Sequence, residues 1–177
     1  MTTRRNSLIV LSAGIATSAD NRVMGCGAAE DTPLKLRLVT TYSYPQQKMI
    51  RLEAFHLVIT NHSDERTGVW QEWCSWGWFC PKLSIRTGGA TFDFRKAQKT
   101  WTKNHPDPFY IDPDGHYLLP VNLLSDDWVR PKDFKPAKDL EAVVTASYTI
   151  TPDEHTQSQK IWTGTLRNEE KTFLEMP

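Results

Sequence analysis

Within Val69-Trp70-Gln71-Glu72-Trp73-Cys74-Ser75-Trp76-Gly77-Trp78-Phe79-Cys80 stand four of the seven tryptophans and two of the three cysteines of the chain. Two kinds of chemistry are open to this segment. Cys74 and Cys80 are spaced to close a small disulfide loop at a hairpin end, a ring that stabilises by only a few kcal/mol. Buried free thiols are the other reading, since cysteine packs as a small apolar side chain. The indoles can stack on sugar rings or anchor a protein partner, because aromatic residues are enriched at binding hot spots. In an extended chain Trp70, Cys74, Trp76, Trp78 and Cys80 fall on one side, and Gly77 invites a bulge or bend that breaks this register. Filling a β core is the competing use of the same rings. Trp70, Trp73, Trp76 and Trp78 are the candidate binding residues.

Other reactive groups make weaker patterns. Asp112-Pro113-Asp114-Gly115 contains a D-x-D-G fragment of a calcium loop, but no acidic residue follows at the closing position, and a plain turn explains it. His105, Asp107, Asp112, Asp114 and His116 are close in sequence and read as solvated loop groups rather than a metal site. A zinc site is not indicated either: Cys74 and Cys80 are not followed by a second Cys or His pair at finger spacing. G-x-S-x-G, H-E-x-x-H, P-loop and G-x-G-x-x-G motifs do not occur. A thiol nucleophile would require His56 or His62 to approach in space. These observations predict a chain without catalysis, cofactor or metal. An enzyme or metal protein of unrecognised type is the last alternative.

The elements that must position these residues read as strand after strand. Leu34, Leu36 and Leu38 alternate with Lys35, Arg37 and Val39. Met49 to Thr60 reads as one long strand, and Lys82 to Thr87 as another, ended by Gly88-Gly89. Thr91 to Arg95 alternates through Phe92 and Phe94. Asp112-Pro113-Asp114-Gly115 is a turn before His116 to Leu124, where Pro120 argues for an edge position or a bulge. Glu141 to Ile150 alternates cleanly. Thr151 to Gln159 reads as a polar loop, Lys160 to Arg167 as a strand, and Lys171 to Met176 as a last one. The pattern predicts an all-β domain, an antiparallel immunoglobulin-like β-sandwich of about eight or nine strands with no long helix, with a small barrel as the second choice.

Composition narrows the partners. With 21 basic and 21 acidic residues the chain has no net charge, so it lacks the basic footprint that nucleic acid requires and has no global attraction to an anionic membrane. The first thirty residues differ from the rest. Arg4-Arg5 precede an apolar run, Leu8 to Ala16, and small residues follow it. This describes an export leader or signal peptide, with a disordered N-terminal segment as the alternative. Val23-Met24-Gly25-Cys26 looks like a lipobox, which makes Cys26 a lipidation candidate and the protein a possible lipoprotein. Asp20 and Arg22 stand where such a signal should be uncharged. The domain plan is therefore residues 1–30 as leader and 31–177 as the β-sandwich. Exported placement (periplasmic, secreted or lipid-anchored) is the expectation, with the cytoplasm as its alternative.

The order of features adds a resemblance. A strand ends in Ile59-Thr60-Asn61-His62-Ser63-Asp64, and the Cys/Trp segment follows. The Asp112-Pro113-Asp114-Gly115 turn comes next. Ala142-Val143-Val144-Thr145-Ala146-Ser147-Tyr148 then leads to Ile161-Trp162-Thr163-Gly164-Thr165-Leu166. Over roughly Leu34 to Phe173 this resembles the immunoglobulin-like sandwich domains of exported bacterial proteins, including BsuPI-type proteinase-inhibitor domains. The resemblance implies that the Tyr148 strand and the Trp162-Thr163-Gly164 strand are late, paired neighbours. No inhibitory loop carries over residue by residue. The function expected is non-catalytic binding of a protein partner at the cell envelope, with proteinase inhibition as one form. A carbohydrate-binding module using the tryptophan face is the alternative.

Overall fold

Leu34, Leu36 and Leu38 are buried and Lys35 and Arg37 exposed along β1 (Leu34–Thr40), so the period-2 pattern of the sequence sets which face meets the core. The computed structural model describes residues 32–40, 43–44, 47–135 and 140–175, all of them in one unit, Thr32–Pro177. The leader expected over residues 1–30, with Cys26, lies outside the described residues. The remaining strands are β2 (Ser43–Tyr44), β3 (Gln47–Arg51), β4 (Phe55–Asn61), β5 (Thr67–Trp70), β6 (Pro81–Thr87), β7 (Ala90–Lys96), β8 (Pro108–Ile111), β9 (His116–Val121), β10 (Trp128–Val129), β11 (Leu140–Ile150) and β12 (Gly164–Glu175). Two short helices interrupt them, α1 (Ser75–Trp78) and α2 (Glu154–Ser158). No helix among the described residues is long and apolar enough to cross a membrane.

The protein is mostly β, in antiparallel sheets. One sheet runs β1-β4-β9, a second β10-β7-β6-β11-β12-β3-β2, and β5 pairs with β8 alone. The two late strands β11 and β12 pair over their whole length. Gly88 and Gly89, both at positive φ, make the two-residue turn between β6 and β7. Pro120 sits on β9, an edge strand, where its missing N–H costs no ladder bond. One hydrophobic cluster takes side chains from both larger sheets, among them Leu57, Ile59 and Leu119 from the smaller and Ile85, Phe94, Val144 and Tyr148 from the larger.

The structure departs from the sequence reading in several places. The strand expected from Lys160 starts only at Gly164 and runs on through the expected last strand as the single strand β12. The run Met49 to Thr60 is not one strand. It breaks at Leu52–Ala54, where Ala54 N–H donates to the Arg51 carbonyl at 3.0 Å. Ile50 is buried before the break, Leu52 at its start, and Phe55, Leu57 and Ile59 after it, so the core face changes parity. This turn carries the chain from the second sheet to the first. The β3–β12 pair is parallel, and its register places two fully buried side chains, Ile50 and Leu174, side by side. Finally, the expected polar loop from Thr151 contains α2. Its capping box has Thr156 N–H donating to Asp153 Oδ1 at 2.7 Å and Asp153 N–H donating to Thr156 Oγ1 at 2.8 Å.

Candidate functional site

The tryptophan segment does not continue as a strand. It leaves β5 at Trp70, turns, and forms the single helical turn α1. Gly77 makes this possible: a Cβ there would run into the Gln71 carbonyl and stand 2.9 Å from that of Trp70. The turn and α1 set the four indoles at different depths instead of aligning them on one face. Trp70 and Trp78 are only 2% and 4% exposed, Trp76 is half-buried, and Trp73 is 64% exposed. Trp76 packs against Trp70 with ring centroids 6.4 Å apart and edge-on to His155 at 5.2 Å.

Cys74 and Cys80 are free, buried thiols, which corrects the expected disulfide. The helical turn aims them at different carbonyls. Cys74 Sγ donates to the Gln71 carbonyl at 3.2 Å and Cys80 Sγ to that of Trp76 at 2.9 Å. Burial pushes the Cys80 thiol up to about 12, so at neutral pH it is no nucleophile. Burial also lifts Tyr117 to about 12 and Tyr148 well above the ordinary tyrosine range. Their hydroxyls are structural: Tyr148 donates to the Trp70 carbonyl at 3.0 Å, and Tyr117 accepts from Glu72 N–H at 3.1 Å.

The acidic and histidine groups near Asp112 do not gather. Asp107 accepts from the Trp73 indole, Asp112 lies 3.0 Å from Arg66 Nε, and His116 Nδ1 is 2.9 Å from Thr60 Oγ1. No group of three or more His, Cys, Asp or Glu among the described residues could hold a metal ion. Asn61, fully buried, explains the polar turn after β4. Its Nδ2 donates to the Glu65 and Ile111 carbonyls at 2.7 and 3.0 Å, and its Oδ1 accepts from Ser63.

What the structure does assemble is a groove of about 550 Å³ beside Trp73. Trp78 and Trp128 wall it together with Glu53, Glu72, Lys96 and Lys99. Lys96, with its side chain 3% exposed, pairs with Glu72 and lies over two indoles, 4.2 Å from the Trp78 ring centre and 4.6 Å from that of Trp128. Lys99 repeats the motif, 4.3 Å from Trp78 and 5.2 Å from Trp101. Trp128, Lys96, Trp78, Lys99 and Trp101 thus form an alternating ladder of rings and cations. The contacts of the buried Lys96 are of the desolvated kind, worth about 2 kcal/mol, whereas those of the exposed Lys99 are worth about 0.5–1 kcal/mol. Also lining the groove, Glu53 has its Oε1 3.0 Å from Arg51 Nε, while its Oε2 is buried with no hydrogen-bond partner among the described residues.

Sequence reasoning missed Lys96, Lys99, Trp101, Trp128, Glu53 and Glu72. One signal was there: Lys96 shares the parity of Phe92 and Phe94 on β7 and so belongs to their inward face. No family model matches the chain, and neither a curated protein nor a solved structure matches it.

Proposed function

We propose that this protein is a non-catalytic binding domain that receives a segment of a partner protein in the groove beside Trp73. The observation that carries this reading is the placement of Trp73. Its indole N–H is fixed by Asp107, its ring is the most exposed of the four, and it stands at a groove walled by two further indoles. A held aromatic ring loses little conformational freedom when a partner covers it. The buried Glu53 Oε2 seeks a donor, and a peptide brings both N–H donors and apolar side chains. The reading takes with it placement at the cell envelope and an immunoglobulin-like arrangement of the two larger sheets. Proteinase inhibition is one form of it.

Carbohydrate binding is the second reading. It is favoured by the open face of Trp73 and weakened by the burial of Trp70 and Trp78, which leaves no row of indoles for successive sugar rings. A displayed random-peptide library, panned on the wild-type chain and on Trp73→Ala, tests the first reading. Sequences enriched by the wild type and lost on the variant support it. Quenching of tryptophan fluorescence by neutral polysaccharides, with no such peptides, transfers the groove to the second. A silent result in both sinks the proposal.

A further inference from the structure

The outward face of the seven-stranded sheet carries a second groove, of about 760 Å³, over β6, β7, β11 and β12. Lys82, Arg95, Arg130 and Arg167 line it against the one carboxylate of Asp93, although the chain as a whole has no net charge. Strand register turns three of these cations into a row. Arg95 stands opposite Lys82, Lys82 opposite Ser147, and Ser147 opposite Arg167. With strands about 4.8 Å apart, the row runs about 14 Å across the sheet. All three side chains are exposed, and no carboxylate of the described residues is within ion-pair distance of them. The neighbouring row is Asp93, Ser84, Thr145 and Glu169, with its two carboxylates at the ends.

Like charges directly opposite one another destabilise a sheet. Arg95 and Lys82 stand in this arrangement, and an anion bound between them would relieve their repulsion. The floor between the long cationic side chains is made of small hydroxyl residues, Ser84, Thr145 and Ser147, so a narrow chain can lie down between them. An extended peptide docks best at a sheet edge, where backbone groups are free. β6 and β11 are hydrogen-bonded on both sides and present side chains alone. A planar bilayer does not enter a groove, and the rows offer no exposed ring for a nucleic-acid base. Cations spaced along a line, over a floor of hydroxyls, match a polymer carrying repeated anions and hydroxyls.

We propose that this face binds a carboxylated or sulfated polysaccharide laid across β7, β6, β11 and β12. The surface is on residues separate from the Trp73 groove, so each assignment stands or falls alone. Calorimetric titration of the full chain with polygalacturonate, dextran sulfate and neutral dextran, at low and at physiological salt, tests it. One or both polyanions bind, neutral dextran does not, and the response to the two tells carboxylate from sulfate. The triple variant Lys82→Ser, Arg95→Ser, Arg167→Ser binds at least about tenfold more weakly, because these charges make the contact. The double variant Lys35→Ser, Arg37→Ser, on the outward face of β1, binds as the wild type does. Should the triple variant fail to fold, Lys82→Ser and Arg167→Ser singly each show a smaller loss. Absence of polyanion binding overturns the proposal, as does an equal loss in the β1 variant. Tighter binding of poly-L-glutamate or of phosphatidylglycerol vesicles through the same three residues overturns it too, in favour of an acidic protein or a membrane.

Discussion

The ammonium of Lys96 lies 4.2 Å from the centre of the Trp78 ring and at the same time pairs with the Glu72 carboxylate. Lys96 is 3% exposed and Glu72 20%, so the pair is largely removed from water and breaking it leaves a charge without its partner. Lys96→Met is expected to destabilise the fold by about 3 kcal/mol, since removing one member of a buried pair costs about 3–5 kcal/mol. Adding Glu72→Gln should recover part of that loss, because the double variant buries no lone charge. Urea denaturation of the two singles and the double measures the coupling. Strictly additive losses would show that the two charges do not interact.

Gly77 is the residue that allows α1. Any Cβ there overlaps the backbone of Gln71, and backbone cannot move as a flexible side chain can. Gly77→Ala is expected to destabilise by about 3 kcal/mol or more, at the upper end of overpacking effects. Gly88 gives the contrast: it has open space around it but φ of 55°, so Gly88→Ala should cost only about 1–2 kcal/mol. Thermal melts of both variants check the order, and a harmless Gly77→Ala would refute the close approach.

The physical reason some of this was legible, and some not, lies in which signals are local. The alternation of Leu34 to Leu38 and of Val144 to Ile150, the Gly88-Gly89 turn and the edge position of Pro120 each follow from a few neighbouring residues. The break at Leu52–Ala54 does not. An alternating pattern whose parity slips by one residue looks like a single strand until the sheet that each half joins is known. The bend at Gly77 was legible, but that it takes the form of the helical turn Ser75–Trp78 was not, because this depends on how closely the Gln71 backbone approaches Gly77. Lys96 was masked by its type, since lysine on an exposed strand is the common case and its burial depends on Trp128, thirty-two positions further on.

The thiols supply a test of the missing bridge. Cys74 and Cys80 are free and buried. The native protein is expected to resist iodoacetamide at pH 8, and the unfolded, unreduced protein to take up label at both positions. Mass spectrometry of tryptic peptides reads this directly. A segment that gains label only after reduction would restore the disulfide.

Alkaline conditions should loosen the fold. Cys80 is raised from 9.0 to about 12 and Tyr117 from 10.0 to about 12. Above pH 9 the unfolded chain therefore sheds protons that the folded one retains, and stability falls as pH rises. It is intact below pH 9 and declines toward pH 12, with a limiting slope of about 1.4 kcal/mol per pH unit for each group. Denaturant midpoints measured from neutral pH upward give the curve. Cys80→Ala should flatten its lower part, and an unchanged slope in that variant would show that the thiol contributes nothing.

Finally, the four indoles of the opening segment should separate into two energetic classes. Trp70 and Trp78 fill the core or its margin, Trp78 also donating to the Ala97 carbonyl at 2.8 Å. Trp70→Ala and Trp78→Ala should each cost about 3–5 kcal/mol, as expected for truncating a buried large side chain. Trp73 is 64% exposed and held by one hydrogen bond to Asp107, so Trp73→Ala should cost about 1 kcal/mol. Trp76, half-buried between Trp70 and His155, should fall between them. Urea unfolding of the four variants ranks them. A Trp73→Ala loss as large as that of Trp70→Ala would make Trp73 a structural residue and remove the exposed ring on which the groove reading depends.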